Sequence, residues 1–296
     1  MTTASQSSGA PPWGSPDPLG GRGALRAWAT RELAAAGCVS ARAEAAWLLE
    51  EAPDRPTLEA MVARRVAGEP LQYVVGWAPF GRLRLRVGHG VFVPRPETEG
   101  LADRAAAHLR AAGPLTDRAT PSGFPGPLRP IAVDLCTGSG AIACFLAAEV
   151  PGARVMATEL DPAALAWARP NTDRYGVELL AGDLDAPLPA ELAGRVDVLC
   201  ANVPYVPSGA IPTLPRDVRD HEPRLALDGG PDGLEVLRRV AARAGRWLAP
   251  GGFLLCEIGD DQGEAAAALL AEAGLAEVTV LPDLVGRDRI VEGRWR

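Results

Sequence analysis

The chain has 296 residues, 47% of them hydrophobic, which is enough for one large core and a small extra domain. Its net charge is −7, so the broad basic surface of a nucleic-acid-binding protein is not expected. All 30 basic residues are arginine, which excludes a catalytic lysine and the lysine of a phosphate-binding loop.

The cysteines and the apolar segments predict where the protein works. Five widely spaced cysteines without a Cys-x-x-Cys pair indicate reduced thiols, and no metal site is expected. The start of the chain lacks the pattern of a secretory signal, and no apolar run is long enough to span a bilayer. A cytoplasmic protein that does not bind membranes is therefore expected.

The first third of the chain predicts a tail, a helical domain and a hairpin. Residues 1–21 are rich in Ser, Gly and Pro and predict a disordered tail. Residues 22–78 carry three apolar patterns with helical spacing, which predict a small helical domain. In residues 79–93, Leu and Val alternate with Arg, and Gly88-His89-Gly90 follows. This pattern predicts a strand that turns into Val91-Phe92-Val93, a β-hairpin linking two domains.

The rest of the chain, residues 94–296, predicts one α/β domain. A helix start is predicted at Pro94–Glu99, and a Pro/Gly-rich surface linker at 113–130. Strands and helices then alternate, which predicts a doubly wound, mostly parallel sheet. The last two strands have no helix between them, so an antiparallel hairpin is expected at the C-terminal edge of the sheet. The seven predicted strands are Ile131–Leu135, Arg154–Thr158, Val177–Leu180, Val196–Ala201, Phe253–Ile258, Glu277–Leu281 and Arg289–Glu292.

The first of these strands ends in a glycine-rich turn, from Asp134 to Gly140, that leads into a helix. Such a turn lets the backbone approach a ligand closely at a helix N-terminus. Glu159 ends the second strand, where an acid binds ribose hydroxyls. Asp134 suits a ligand with a positive amine, such as the methionine part of S-adenosylmethionine, and would repel a pyrophosphate. Asp183 could accept a hydrogen bond from an adenine amino group, although Asp161 and Asp183 also fit simple turn residues.

A second candidate site, Asn202-Val203-Pro204-Tyr205, follows a buried strand. The Asn202 amide both donates and accepts hydrogen bonds, Pro204 stiffens the backbone, and Tyr205 adds a flat face. These groups could hold a planar NH2-bearing group at the carboxyl ends of the strands, where open α/β folds bind ligands. The alternative is a proline-terminated turn with a surface tyrosine.

Taken in order, these segments resemble the class I S-adenosylmethionine-dependent methyltransferases. Further segments resemble the release-factor glutamine methyltransferases, and the resemblance runs from about residue 24 to the end of the chain. It departs from the family at Val203, where the family has proline, and in a helical domain that looks one or two helices short. The further segments are Gly68–Tyr73, Pro94–Glu99, His221–Leu227 and Leu284–Arg289.

The resemblance implies methyl transfer from S-adenosylmethionine to the amide nitrogen, N5, of the glutamine in the Gly-Gly-Gln loop of peptide chain release factors. The helical domain would dock this protein substrate, and a monomer without stable nucleic-acid binding is expected. The implied cofactor contacts are Asp134, Cys136, Thr137, Gly138, Ser139, Gly140, Glu159, Leu160, Asp183, Leu184 and Asn202. The implied substrate contacts are Asn202, Val203, Pro204, Tyr205, Pro94, Arg95 and Glu97.

Catalysis is predicted to rest on positioning by the tetrapeptide. The Asn202 oxygen and the Val203 carbonyl would accept the two substrate N–H bonds, while Pro204 and Tyr205 sandwich the amide plane. Orientation of this kind supplies about 7–11 kcal/mol of barrier reduction.

Three other functions stay open at this stage. A methyltransferase acting on a base of RNA or DNA would use the same tetrapeptide, but the acidic charge argues against it. A nicotinamide-dependent oxidoreductase fits the glycine spacing from Gly138 to Ala143, but the chain lacks a catalytic lysine. A non-catalytic binding protein would explain Val203, but the other site residues are intact.

Overall fold

The computed structural model describes residues 21–112 and 129–296. The predicted tail up to residue 20, and residues 113–128 of the predicted linker, lie outside the described residues. The described residues divide into two compact units, with the boundary between Gly76 and Trp77. Within the described ranges, no helix combines the length and apolar character needed to cross a membrane.

The first unit contains four described helices where the sequence predicted three. They are α1 (Gly21–Ala35), α2 (Ala41–Glu51), α3 (Arg55–Val66) and α4 (Leu71–Val75). Their apolar faces meet in a core that fully buries Leu33, Leu48 and Leu58. The fourth helix has only five residues, which is too short for its sequence to show a helical period.

The second unit begins with a β-hairpin whose position corrects the prediction. Its strands, β1 (Trp77–Phe80) and β2 (Leu83–Arg86), pair antiparallel around Gly81. The chain does turn at Gly88-His89-Gly90, where the Val91 N–H donates to the Gly88 carbonyl at 3.3 Å, but Val91–Val93 is not a strand, so the predicted hairpin at this turn is wrong. A Cβ on Gly88 would lie 2.3 Å from the Trp167 ring, whose N–H donates to the His89 carbonyl. Gly88 therefore permits close packing of an indole, and the proline inside β1 concealed the true first strand.

Seven strands form the main sheet, in the order β5-β4-β3-β6-β7-β9-β8. The first five are parallel, and the last two form an antiparallel hairpin at the edge, which confirms the predicted fold class. The strands are β3 (Ile131–Leu135), β4 (Arg154–Glu159), β5 (Glu178–Ala181), β6 (Val196–Ala201), β7 (Leu248–Glu257), β8 (Ala276–Pro282) and β9 (Asp288–Arg294). The helices are α5 (Pro96–Ala112), α6 (Ala141–Glu149), α7 (Pro162–Tyr175), α8 (Arg216–Arg219), α9 (Glu235–Trp247) and α10 (Gly263–Glu272).

The two central strands, β3 and β6, are buried at every position because apolar layers cover both faces of the sheet. Their continuous apolar sequences reflect this double coverage. The strand order also reverses here, since the chain proceeds from β3 outward to β4 and later returns to place β6 on the other side. In doubly wound sheets a crevice for ligands opens at such a switch point, beyond the carboxyl ends of the strands.

Candidate functional site

A cavity with an empty volume of about 1270 Å³, open mouth included, lies at the carboxyl ends of β3, β4 and β6. Its wall contains most of the residues predicted from the sequence. These are Pro94, Cys136, Thr137, Gly138, Ser139, Glu159, Leu160, Asp183, Leu184, Asn202, Pro204 and Tyr205. Five predicted residues do not line it: Arg95, Glu97, Asp134, Gly140 and Val203.

The glycine-rich turn after β3 leaves its backbone open to the cavity. Gly138 has φ +57°, and a Cβ built on it would have no atom within 4 Å. Gly140 has φ +86° and caps the N-terminus of α6, where a Cβ would lie 3.1 Å from Thr172. Left-handed backbone at both positions favours glycine. The turn thus presents an uncovered backbone next to a helix N-terminus, as a polar ligand requires.

Asp134 lies beneath this turn instead of in the cavity wall. Its Oδ2 accepts hydrogen bonds from the Thr137 hydroxyl, at 2.5 Å, and from the Ala143 N–H, at 3.1 Å. Burial raises the pKa of this carboxyl to about 7, and its Oδ1 has no partner among the described residues. The structure therefore shows Asp134 fixing the turn, whereas the sequence predicted direct contact with a ligand amine.

Glu159, in the cavity wall, is held by backbone N–H groups from two segments of the chain. One carboxylate oxygen accepts from the Gly138 N–H at 2.8 Å, and the other accepts from the N–H groups of Leu160 and Asp161 at 2.9 Å. Burial raises the pKa of Glu159, and these three hydrogen bonds oppose the rise. A carboxylate has about four lone-pair sites, so the group keeps capacity for a hydroxyl of a ligand.

Asp183, at the end of β5, is paired with a residue that the sequence did not predict. The Arg239 guanidinium, from α9, donates to its Oδ2, and both side chains line the cavity. No sequence motif indicated Arg239, because an arginine on an amphipathic helix is interpreted as a solvent-exposed residue. Its partner becomes evident only when α9 packs beside the end of β5.

The side chains of Asn202 and Tyr205 are each tied to another buried polar residue. The Asn202 Nδ2 donates to the Thr98 hydroxyl at 3.1 Å, and the Tyr205 hydroxyl donates to Glu257 Oε1 at 3.3 Å. Burial and the adjacent Glu257 carboxyl raise the pKa of the Tyr205 phenol, which stays protonated. Thr98 was visible in the Pro94–Glu99 segment, but only as part of a helix start. Nothing in the sequence marked Glu257 as a site residue, because it is only an acidic residue at the end of an apolar strand.

The backbone of the tetrapeptide is fixed by a glycine-rich loop. A Cβ on Gly229 would lie 2.6 Å from the Pro204 carbonyl oxygen, and one on Gly233 would lie 2.2 Å from that of Tyr205. The Tyr205 carbonyl also accepts from Gln262 Nε2 at 2.9 Å. Only glycine permits this approach, so the loop holds the backbone of the tetrapeptide while Asn202, Pro204 and Tyr205 line the cavity.

Val203 points the other way. Its side chain is 2% exposed and belongs to the main core. Its N–H makes no hydrogen bond to any residue in 21–112 or 129–296. The proline that the resembling family has at this position would therefore remove no hydrogen bond seen here.

A partly buried ion pair, Arg95 with Glu222, lies beside the cavity wall, since the pair is adjacent in the chain to Pro94 and Pro223, which line it. Arg95 Nη2 donates to Glu222 Oε1 at 2.7 Å, and the Arg95 guanidinium lies over the Phe92 ring. Burial raises the pKa of Glu222 to about 7, although Arg95 opposes the rise. Glu222 was visible only within the motif His221–Leu227. Arg95 thus supports the wall from outside, and Glu97 also lies outside it.

Comparison with known proteins gives several similar proteins named as release factor glutamine methyltransferases. The chain is 42% identical to the release factor glutamine methyltransferase of Mycolicibacterium smegmatis over 281 residues, which cover 89% of this chain and 94% of that protein. It is 40% identical to the release factor glutamine methyltransferase of Streptomyces coelicolor over 283 residues, covering 90% and 96%. No protein-family model matches the chain.

Solved structures resemble the chain more weakly. The ribosomal protein L11 methylase of Lactobacillus delbrueckii subsp. bulgaricus matches with a TM-score of 0.44 and 18% identity, covering 68% of this chain and 81% of that one. The 16S rRNA N2 G1207 methyltransferase of T. thermophilus, in complex with AdoMet and guanosine, matches with a TM-score of 0.47 and 23% identity, covering 74% and 50%. Both scores are below 0.5, so the fold assignment rests on the strand order described above.

Proposed function

The chain belongs to the family of release factor glutamine methyltransferases, and we propose that it transfers a methyl group from S-adenosylmethionine to the side-chain amide nitrogen of a glutamine in a peptide chain release factor. One observation carries the proposal. Asn202 lines the cavity with its Nδ2 tied to Thr98, so its Oδ1 is available to accept a hydrogen bond from a substrate amide. The glutamine of the Gly-Gly-Gln loop is the proposed acceptor.

The cavity wall suits S-adenosylmethionine. Glu159 offers carboxylate oxygens to ribose hydroxyls, the open backbone at Gly138 suits the amino-acid part, and the half-exposed Leu160 offers an apolar face to adenine. Asp183, fixed by Arg239, is placed to accept from an adenine amino group. S-adenosylmethionine, when bound, supplies a methyl group on a positively charged sulfur.

The proposed mechanism is positioning by the tetrapeptide. An amide nitrogen is a weak nucleophile, and no histidine is among the described residues of the wall. Asn202 Oδ1 accepts one substrate N–H, and Pro204 and Tyr205 flank the amide plane. The Val203 carbonyl remains the proposed acceptor of the second N–H, although the residue itself is not in the wall. Fixing the nitrogen against the methyl donor in this way supplies about 7–11 kcal/mol of barrier reduction.

The other functions considered are less favoured. Methylation of an RNA or DNA base would use the same Asn202 geometry, but the net charge is −7 and the relatives are named for release factors. We further propose that the helical unit docks the release factor, and that the protein acts as a cytoplasmic monomer. All five cysteines are free thiols, as a reducing compartment maintains them.

The experiment is methyl transfer from labelled S-adenosylmethionine to a purified release factor, with the product mapped by mass spectrometry. We expect one methyl group on the glutamine of the Gly-Gly-Gln loop. A release factor with that glutamine changed to asparagine is the matched control and should accept none. Labelling of added RNA with no labelling of the release factor would overturn the proposal.

A further inference from the structure

We propose that Gln262 is a positioning residue of the methyl transfer, because its side-chain amide fixes the Tyr205 backbone and with it the tyrosine ring that flanks the substrate amide. The inference rests on the proposed function and names a residue on which that function depends. Gln262 immediately precedes α10 and does not line the cavity, so it acts only through Tyr205.

The orientation of the Gln262 amide is determined by three backbone partners. Its Nε2 donates to the Tyr205 carbonyl at 2.9 Å and to the Asp232 carbonyl at 3.3 Å, and its Oε1 accepts from the Gly259 N–H at 2.8 Å. A carbonyl only accepts and a backbone N–H only donates, so the reversed amide would lose all three bonds. Gln262 is 5% exposed. The amide therefore joins the tetrapeptide, the glycine-rich loop and the turn after β7 in one fixed arrangement.

Tyr205 is held at both of its ends by the short segment from Glu257 to Gln262. Its hydroxyl donates to Glu257 Oε1 at 3.3 Å, and its carbonyl accepts from Gln262 Nε2. Glu257 ends β7 and Gln262 comes just before α10, so both partners belong to one connection. Because one bond fixes the backbone and the other fixes the tip of the side chain, the ring is held in one orientation before a substrate binds.

Gly233 permits the contact between Gln262 and Tyr205. A Cβ on Gly233 would lie 2.2 Å from the Tyr205 carbonyl oxygen and 2.4 Å from Gln262 Nε2. The glycine-rich loop thus packs directly against this hydrogen bond. Replacing the Gln262 donor would leave the Tyr205 carbonyl without its partner in a place that the loop covers, and a buried acceptor without a partner is costly.

Asn171 provides a matched comparison on the other side of the cavity. It is 4% exposed, and its Nδ2 donates to the Ser139 carbonyl at 2.8 Å and to the Arg86 carbonyl at 3.0 Å. Its Oδ1 accepts from the Arg86 N–H at 2.9 Å. Ser139 belongs to the glycine-rich turn and lines the cavity, whereas Asn171 does not. Two buried carboxamides with the same three kinds of bond therefore hold different parts of the site.

The test makes the same chemical change in both residues, with Gln262→Glu and Asn171→Asp. An ionised carboxylate cannot donate to a carbonyl. Two quantities are measured on each purified protein: kcat for the release factor at saturating S-adenosylmethionine, and the dissociation constant of S-adenosylhomocysteine by calorimetry. For Gln262→Glu we expect kcat to fall roughly 10- to 100-fold, the cost of a small misplacement of an aligned group. Its affinity for S-adenosylhomocysteine should stay within about threefold of the wild type, below the effect of one lost hydrogen bond.

Asn171→Asp should show the opposite pattern. We expect it to bind S-adenosylhomocysteine roughly 10-fold more weakly, because the glycine-rich turn loses the donor that holds the Ser139 carbonyl. Its kcat at saturating S-adenosylmethionine should stay within about threefold of the wild type, since the Gln262 bonds are intact. General damage to the fold would not produce two opposite patterns from the same chemical change.

The pH dependence of Gln262→Glu gives a further measurement. A protonated carboxyl has one O–H donor, and burial raises the pKa of a carboxyl at this position. Lowering the pH therefore restores a donor, and the ratio of its kcat to that of the wild type should rise between about pH 8 and about pH 6. Gln262→Met keeps the length, removes all three bonds and should show no such rise. It also provides the second arm if Gln262→Glu does not fold.

The outcomes distinguish the two proposals. If the wild type methylates the release factor and Gln262→Glu, or Gln262→Met in its place, keeps the wild-type kcat, the positioning role is overturned and the function stands. Equal losses of kcat and of S-adenosylhomocysteine affinity would also overturn the positioning role. If the wild type does not methylate the release factor, the function is overturned and the positioning role falls with it. Loss of kcat in Gln262→Glu, with loss of affinity only in Asn171→Asp, supports both.

Discussion

The two ends of the cavity are held together by different kinds of hydrogen bond. At the end proposed to bind the cofactor, Glu159 is held by backbone N–H groups, two of them from the next two residues. At the substrate end the bonds join side chains far apart in sequence. Asn202 and Thr98 are separated by 104 residues, and Arg95 and Glu222 by 127.

This difference has a functional consequence. Backbone donors are present whatever the neighbouring side chains are, so the position of Glu159 depends on few residue identities, whereas Asp183 at the same end depends on Arg239. At the substrate end each bond depends on both of its side chains, and replacing one leaves a buried partner unsatisfied. Single substitutions should therefore separate the two functions, because those at the substrate end lower turnover and those at the cofactor end weaken cofactor binding.

The largest separation is expected for Asn202→Ala. The substitution removes the proposed acceptor of the substrate N–H and leaves the backbone contacts of Glu159 in place. We expect kcat to fall roughly 10²- to 10³-fold, which is the effect of removing one preorganised hydrogen bond to a transition state. Binding of S-adenosylhomocysteine by calorimetry should stay within about threefold of the wild type, well below the effect of one hydrogen bond to a charged group. Equal losses in both measurements would mean that the two ends are not independent.

Glu159→Ala tests the opposite end. It removes the carboxylate proposed to hold ribose hydroxyls and deprives the Gly138, Leu160 and Asp161 N–H groups of their acceptor. We expect S-adenosylhomocysteine to bind roughly 10- to 100-fold more weakly, the loss of hydrogen bonds to a charged group.

The control for this change is Glu178→Ala on the adjacent strand β5, whose exposed carboxylate pairs with Arg154. Its affinity for S-adenosylhomocysteine should match that of the wild type, since Glu178 is not in the cavity wall. If Glu159→Ala also bound normally, the acid at the end of β4 would have no part in holding the cofactor.

The same contrast explains how much of the site the sequence predicts. The turn directly follows β3 and the acid ends β4, the next strand along the chain, so their place at one edge of the sheet follows from the predicted parallel strands. The roles of Thr98, Glu222, Arg239 and Glu257 depend on partners brought together by packing, and no local spacing reports that. Asp134 shows a related limit, because its position was predicted but its burial beneath the turn was not.

The fold shows this division as well. The limits of β3 and β6 were predicted to the residue because buried parallel strands have strong patterns. The hairpin was misplaced because the turn at Gly88 leads into no strand, and Gly88 instead accommodates Trp167, which lies 79 positions further along the chain. A glycine at a turn between paired strands and a glycine at a turn packed against a distant side chain look alike in sequence.

A smaller effect is expected when the pair beside the cavity is broken by Arg95→Met. The pKa of Glu222 is about 7, above its ordinary value of 4.5, so its contribution to stability is complete below pH 4.5 and is lost as the pH rises through 7. Without Arg95 the pKa rises further, so the ionised carboxylate costs more at pH 8. We expect a loss of about 1–2 kcal/mol in the free energy of unfolding at pH 8, less than for a fully buried pair, and little at pH 5.

Urea unfolding at the two pH values measures this change. Arg154→Met removes an arginine from an exposed pair with Glu178 and should cost about 0–1 kcal/mol at either pH. A loss for Arg95→Met that does not depend on pH would show that the guanidinium stabilises the wall through its stacking on Phe92 and not through Glu222.

The smallest effect is expected for Val203→Pro, which introduces the residue that the family has at this position. The Val203 N–H has no acceptor among the described residues, so proline removes no hydrogen bond found there. The loss of some buried side-chain contact is offset by lower entropy of the unfolded chain, and we expect a change below about 1 kcal/mol in the free energy of unfolding. Val206→Pro is the matched control, since Val206 also precedes a proline but donates to the Leu227 carbonyl at 2.9 Å. Losing that bond should cost about 1–3 kcal/mol, so equal urea midpoints for the two variants would show that the backbone after β6 is held by something other than this hydrogen bond.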